Sequence, residues 1–456
     1  MRGKISDMLK KNDILELEIQ ALNSDMQGIA RHEGKVVFLP FSLPGEIIRA
    51  KIVKVLKSYA YAKPLEILQK SPDRQEPPCD IFYKCGGCTC QHMTYETTLI
   101  QKRLIVKDTL SKIAGAKIPV AKCIDADSSL NYRNKTSMPL AFENGKPVAG
   151  FFYPRSHRVV PVTNCPVARK PTMQVMQSVL SWMEEYNIPP YNENAHTGLI
   201  RHIVIRVNLE GECMLILVTR EKQIPYKNEL ISRLKQENPY IVSIISSVQK
   251  KRTNTILGES FAVLHGENHI KEELLGLNFR ISPLSFFQIN TKQAEKLYLA
   301  AMELAGDLEG KKVLDLYCGA GTIALSFAGK CKEVRGIEIV PAATDDAILN
   351  AKDNNITNAS FHLGKVEDIL PQFVKENYKP DIIVLDPPRK GAEPSVIEAM
   401  AKLDAEKIIY ISCHVASQAR DIARLTALGY APTKSIPVDM FSYTSGIENI
   451  VLLQKA

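Results

Sequence analysis

The chain has 456 residues, 45% of them hydrophobic and 24% charged, with a formal net charge of +8. This length suits about three domains, and the balance suits ordinary globular cores. No apolar run approaches the ~18 residues of a membrane span, and the start, MRGKISDMLKKND, lacks the apolar core of a secretion signal, so a cytoplasmic protein is expected; the mild basic excess fits a nucleic-acid partner and an ordinary basic enzyme equally well.

Residues 12–70 alternate short apolar runs with breaks at Asp25-Met26-Gln27-Gly28 and Pro44-Gly45. That pattern predicts a small β-barrel. Arg49, Lys51, Lys54 and Lys57 fall along one strand region, either as a solvated face or as a groove that follows phosphates. Next comes a loop rich in proline and cysteine, PPCDIFYKCGGCTCQH at 77–92, with Cys79, Cys85, Cys88 and Cys90. In a reducing compartment metal ligation or catalysis explains such cysteines better than disulfides do. Their spacing alone admits both zinc and an iron–sulfur cluster.

The run TYETTLIQKRLIVKDTLSKIAG, 94–115, predicts a helix with a glycine stop. Residues 120–280 mix strand-like runs (HIVIRVNL, CMLILVTR, IVSIISSV) with one or two helices, a mixed α+β unit. Within it Tyr132-Arg133-Asn134-Lys135 and Phe151-Phe152-Tyr153-Pro154-Arg155 interleave aromatic and basic residues. Such patches stack splayed RNA bases, or simply pack a strand. From about 281 the pattern changes: KVLDLY, EVRGIEI, DIIVLD and KIIYIS alternate with helical stretches. Alternating βα units predict a parallel, doubly wound sheet with ligands at the carboxyl ends of its strands. The expected units are therefore 1–70, 71–280 and 281–456, with helix 94–115 free to pack on the last.

Each strand end is then a place to look for chemistry. The first is VLDLYCGAGTIALSFA, where Asp315 precedes Gly319 and Gly321. The spacing is not GxGxxG, so a dinucleotide pyrophosphate is not favoured. The D-x-x-x-G-x-G turn resembles motif I of class I S-adenosylmethionine-dependent methyltransferases. The second strand ends at Glu338, an acid that can accept hydrogen bonds from both ribose hydroxyls. In IIVLDPPRKGAE, Asp386 is followed by two prolines, a rigid turn that suits a wall against a flat ring. In IIYISCHVASQARD, Cys413 would reach the same rim, a candidate nucleophile.

DLYCGAGT, FFQIN at 286–290, DPPRKG, ISC at 411–413 and IENIVLL at 447–453 occur in this order. With them the chain resembles the RNA uracil-5-methyltransferases over nearly its whole length. The resemblance implies an α/β fold: a Rossmann-like, doubly wound methyltransferase sheet, an N-terminal OB-like TRAM barrel that binds RNA, and a central α+β domain holding an iron–sulfur cluster. It implies Cys413 as nucleophile, Glu448 as base and Asp386 at the uracil edge, with Gln288, Tyr317, Glu338 and Asp386 lining the site of S-adenosylmethionine. The branch of the family that acts on 23S rRNA is similar in carrying a [4Fe–4S] cluster on C-x5-C-x2-C plus a distant C-P. Here those residues are Cys79, Cys85, Cys88 and Cys165, leaving Cys90 spare. The expected partner is 23S rRNA, with no membrane and no obligate protein partner.

Two departures stand out. The family has asparagine and proline after the nucleophile, where this chain has His414 and Val415; it has histidine two before the base, where this chain has Gly446. Three other readings stay on the table. A cytosine-5-methyltransferase would carry a cysteine where Arg389 follows the double proline. A tRNA could replace rRNA as substrate. An RNA-binding ribosome-assembly factor could carry a decayed site.

Overall fold

Six strands open the chain: Ile14–Glu18, Ala21–Leu22, Gly28–His32, Lys35–Leu39, Ile47–Val55 and Tyr59–Gln69. They form one sheet in the order 1-5-6-4-3-2. Strict alternation in Ile47–Val55 turns Ile48, Ala50 and Ile52 inward, onto Leu17, Val37 and Leu39. Arg49, on the outward face, is held by Glu66 at 2.7 Å and faces Glu16 at 3.8 Å. Lys57 lies beyond the strand's end. The four cations therefore do not form one uncommitted row. The computed structural model describes residues 9–456; most of the start MRGKISDMLKKND, and the first residues of the expected 1–70 unit, lie outside the described residues.

A second, seven-stranded sheet runs from Lys135–Glu143 to Ser260–Gly266. Its central strands, Ile200–Val207 and Cys213–Thr219, are covered on both faces, and apart from Arg201, His202 and Arg206 the first is apolar. One face meets helices Pro171–Glu185 and Lys227–Glu237 through Ile203, Ile205, Leu215 and Leu217. The other sends Val204, Met214, Ile216 and Val218 into the same core as helix Thr291–Ala305 and the strands of the third sheet. Burial on both sides accounts for the continuous apolar runs.

The third sheet contains, in spatial order, Ala359–Leu363, Glu333–Glu338, Lys312–Leu316, Ile382–Leu385, Lys407–Ser412, Glu448–Lys455 and Tyr430–Val438. The first five pair in parallel. The sheet is not parallel throughout, as the alternating pattern predicted: Glu448–Lys455 is antiparallel to both neighbours. Its first residue therefore stands at the rim where the parallel strands end.

Helix Tyr95–Thr109 starts at Thr94, whose hydroxyl accepts the Thr97 amide at 3.4 Å, and continues through a π-helical turn, Leu110–Ala114, to Gly115 at φ +66°. Val106 and Leu110 join the core beneath the third sheet. Residues 119–124 then run beside Tyr430–Val438, bonding through Ser435 and Pro437, and so cover the sheet's edge. Among the described residues no helix is long and apolar enough to cross a membrane.

Candidate active site and cysteine cavity

Asp315 is the last residue but one of the strand Lys312–Leu316, which is otherwise apolar apart from its first residue. It is 0% exposed, and its carboxyl oxygens have no hydrogen-bond partner. Burial, and then the charge of Asp386, hold its pKa well above the usual range. The turn that follows contains three left-handed residues, Tyr317 (φ +68°), Gly319 (+56°) and Gly321 (+81°). A Cβ on Gly319 would meet nothing within 4 Å, so open space lies against the backbone there; one on Gly321 would press the Phe361 ring at 3.1 Å. Glu338 pins this turn from the next strand. It accepts the Gly319 amide (2.9 Å) and the Val340 amide (2.7 Å), and each oxygen keeps a lone pair for a hydroxyl. An unpaired buried acid, an open glycine turn and an acid with spare acceptors fit an amino-acid-bearing nucleoside such as S-adenosylmethionine.

Gln288 lies between the two halves of the site. It is 4% exposed and its Nε2 is 3.4 Å from Asp386 Oδ2. Asp386 follows the strand Ile382–Leu385 directly, and burial raises its carboxyl to about 7. On the next strand Ser412 pairs with Asn449. Cys413 directly follows this pair on one strand and Glu448 directly precedes it on the other. Glu448 is 2% exposed, with Oε2 unpartnered; burial and then Asp386 push its pKa well up, while Arg389 opposes. Burial, then the charges of Glu448 and Asp386, raise the Cys413 thiol to about 11, and Arg389 again opposes. In the sequence Arg389 serves only to set this chain apart from a cytosine enzyme. Its place after the double proline gave its position, but only folding turns it toward the thiol.

The two departures have structural counterparts. His414 caps helix Val415–Ala427, its Nδ1 accepting the Ser417 amide at 3.2 Å. Ser417 Oγ in turn donates to the Arg389 carbonyl (2.9 Å). The helix N-terminus thus starts directly after Cys413, where its dipole favours a thiolate. At Gly446 a Cβ would meet the Phe441 ring at 2.9 Å; a histidine there would displace Phe441. Asn449 is locked by Gln418 (2.7 Å) and by Ser435 (2.9 Å).

Cys79, Cys85, Cys88 and Cys165 line one cavity of about 230 Å³, together with Arg133 and Lys135. Burial raises the Cys88 thiol to about 12, with the charge of Cys165 next. The Gly87 amide donates to Cys85 Sγ at 3.3 Å. Cys90 is apart, fully buried against Thr89 Oγ1 (3.2 Å). Among the described residues no three His, Cys, Asp or Glu side chains are grouped so as to hold a metal ion. The four thiols share the lining of one cavity, and four soft donors are a set that either a zinc ion or an iron–sulfur cluster takes.

The aromatic–basic stretches are corrected in part. Tyr132 is 5% exposed and its hydroxyl donates to the Ser442 carbonyl (3.0 Å), so it is not free to stack on a base. Asn134 bonds the Gln288 carbonyl (2.8 Å). Phe151 packs on the central core, while Phe152 stacks on His157 at 5.1 Å.

The sequence profile of the tRNA (Uracil-5-)-methyltransferase family matches residues 94–456, and that of the TRAM domain matches residues 9–65. An RNA methyltransferase of Clostridium tetani is 41% identical over 447 residues, 98% of this chain and 97% of its own length. Another, of Halalkalibacterium halodurans, is 38% identical, with 98% of each covered. The tRNA (uracil-54, C5)-methyltransferase of Pyrococcus abyssi, solved with S-adenosyl-L-homocysteine, is similar in fold with a TM-score of 0.78 and 26% identity, over 96% of this chain and 99% of its own. The cofactor turn, the buried rim acids and these full-length similarities agree: the chain belongs to the tRNA (uracil-5-)-methyltransferase family and is an S-adenosylmethionine-dependent RNA methyltransferase with an N-terminal TRAM domain.

Proposed function

We propose that the enzyme methylates carbon 5 of a uridine in 23S rRNA through a covalent adduct on Cys413. The observation that carries the covalent route is that Cys413 and Glu448 flank the last ladder pair, Ser412–Asn449, and that the charges of Glu448 and Asp386 both reach the thiol. Carbon 5 of uracil is a weak nucleophile. When the Cys413 thiolate adds to carbon 6, the S–C6 bond forms and the C5=C6 pair moves toward carbon 5 and oxygen 4. Carbon 5 then takes the methyl from the sulfonium, whose S–CH3 bond breaks to leave a neutral thioether. Glu448 removes the proton from carbon 5, the double bond re-forms and the thiolate leaves. The raised thiol means that a proton must leave as the adduct forms; Asp386 is the nearby carboxylate that can take it, which keeps Glu448 free for the proton of carbon 5. Arg389 offsets the charge that develops. The target base must leave its stack to reach this rim.

Gln288, Tyr317, Glu338, Asp315, Gly319 and Gly321 are proposed to hold the cofactor. Residues 1–70 and 71–280 are proposed to hold the RNA, and 281–456 to carry the chemistry. Cys79, Cys85, Cys88 and Cys165 would hold a [4Fe–4S] cluster, which would tie the 79–88 loop to Cys165 by four iron–thiolate bonds. This cysteine set supports the rRNA substrate. The full-length similarity to the Pyrococcus abyssi enzyme favours tRNA as the second reading. The test is trapping: mix enzyme, S-adenosylmethionine and large-subunit rRNA or tRNA carrying 5-fluorouridine, whose fluorine cannot leave as a proton. A denaturation-resistant adduct with the rRNA, lost in Cys413→Ala, is expected. An adduct with tRNA alone would replace the substrate, and transfer without any adduct would refute the covalent route.

A further inference from the structure

Residues 439–447 connect the strand Tyr430–Val438 to Glu448, and they are fastened from outside the catalytic sheet. Lys102, 0% exposed, bonds Asp439 Oδ1 at 2.5 Å and the Phe441 carbonyl at 3.1 Å. Tyr95 donates to Asp439 Oδ2 at 2.7 Å and accepts the Ala126 amide at 2.8 Å. Ser442 donates to the same Oδ2 at 2.6 Å, and Tyr132 holds the Ser442 carbonyl at 3.0 Å. The amides of Thr89 and Cys90, the two residues after Cys88, both donate to the Tyr443 carbonyl, each at 3.0 Å. Tyr443 is itself at φ +59°, a conformation that a tyrosine keeps only when its surroundings impose it.

The nucleophile is anchored elsewhere. Cys413 lies between the ladder residue Ser412, whose Oγ accepts the His414 amide at 3.1 Å, and the helix capped by His414. The cofactor turn hangs on Glu338. The hydrogen bonds that fix the nucleophile and the cofactor turn use none of residues 79–132; the helix capped by His414 meets that segment through apolar packing, Val415, Ala419 and Ile422 sharing a core with Val106 and Leu110.

We infer that the four-cysteine loop and the helix Tyr95–Thr109 hold Glu448 in register with Cys413, so that the order of the cysteine loop governs the last step of the reaction and not the first. The inference rests on the reading of Cys413 as nucleophile and Glu448 as base. In that last step Glu448 takes the hydrogen of carbon 5 as a proton. The C5–H electron pair becomes the C5=C6 double bond, and the C6–Sγ pair leaves with Cys413 as thiolate. Lys102, Tyr95 and the Thr89 and Cys90 amides are positioning groups. Loosening them leaves adduct formation intact and strands the enzyme as methylated adduct.

The experiment uses ordinary uridine RNA and S-adenosylmethionine, with rapid quenching into denaturant and measurement of both the formation and the decay of the protein–RNA adduct. Tyr95→Phe removes one hydroxyl; Cys88→Ser removes one cavity thiol; Glu448→Gln is the reference. Both test variants should form adduct within about threefold of the parent rate and decay about tenfold or more slowly, as a sub-ångström displacement of a base implies. Lys102→Arg, which keeps the buried cation, should decay faster than Lys102→Met. A Glu448→Gln enzyme without lasting adduct would overturn the base assignment itself. A lasting adduct in Glu448→Gln with parental decay in Tyr95→Phe and Cys88→Ser would overturn the inference alone, as would equal loss of formation and decay.

Discussion

Cys413 and the cavity cysteines Cys79, Cys85 and Cys88 are thiols that burial raises first, yet their neighbours differ: two carboxylates act on Cys413, whereas other thiols, with Arg133 opposing, act on Cys85 and Cys88. Cys413 faces Glu448 and Asp386, with Arg389 as the one opposing cation. The cavity holds four thiols with Arg133 and Lys135, and burial, aided by Arg206, pulls the Lys135 ammonium down to about 8. A lone thiol among acids becomes a thiolate only as its proton moves to a neighbour, which suits a nucleophile that must add and then leave. Thiols among cations are arranged to stay thiolates once a soft metal binds, and their negative charge would stabilise the lysine in turn. The contrast teaches that burial alone says little about a cysteine's use; the kind of groups sharing its pocket, carboxylates or further thiols, says more.

The comparison breaks most readily at Cys413. Cys413→Ala should lower methyl transfer by on the order of 10⁴-fold and leave S-adenosylmethionine affinity unchanged; turnover near the parent level, measured with labelled methyl, would remove the nucleophile. Cys165→Ser should cut anaerobically bound iron well below the about four atoms per chain that a four-thiolate cluster carries; unchanged iron by metal analysis would dissolve the cavity's side of the contrast. Lys102→Met should cost about 3–5 kcal/mol in urea unfolding, because Asp439 would stay buried without its cation. The smallest effect is one of pH. Asp386 rises from 3.8 to about 7 on folding, so the folded protein holds a proton that the unfolded chain has lost. Stability without cofactor should therefore fall as pH rises from about 4 to about 7, and Asp386→Asn should flatten that slope; an unchanged slope would mean that another group carries it.

The departures at His414 and Gly446 do not argue for a decayed site. His414 takes over a capping role that its ring nitrogen can fill, and Gly446 makes room for Phe441 in a loop fastened elsewhere. The pairing of Tyr132 with Ser442 shows the converse: an aromatic next to bases in sequence is used to tie two units together.

Asp315, Glu338, Asp386 and Cys413 were legible in the chain itself, because in βα units the residue at a strand's carboxyl end is set by local periodicity and turn chemistry. The cavity's first three cysteines were legible as a local cluster, and Cys165 only through resemblance. Glu448 had no local sign either. Its position depends on one strand running against the other six in the sheet, and on the 439–447 loop that turns it back. Arg389, Lys102 and Lys135 are ordinary cations in the sequence; what they face depends on segments far apart in the chain. Sequence therefore determined which groups stand at strand ends, since that is a matter of neighbours along the backbone. Tertiary structure decided which charge each thiol meets, since an electrostatic interaction falls with distance in space and takes no account of distance along the chain.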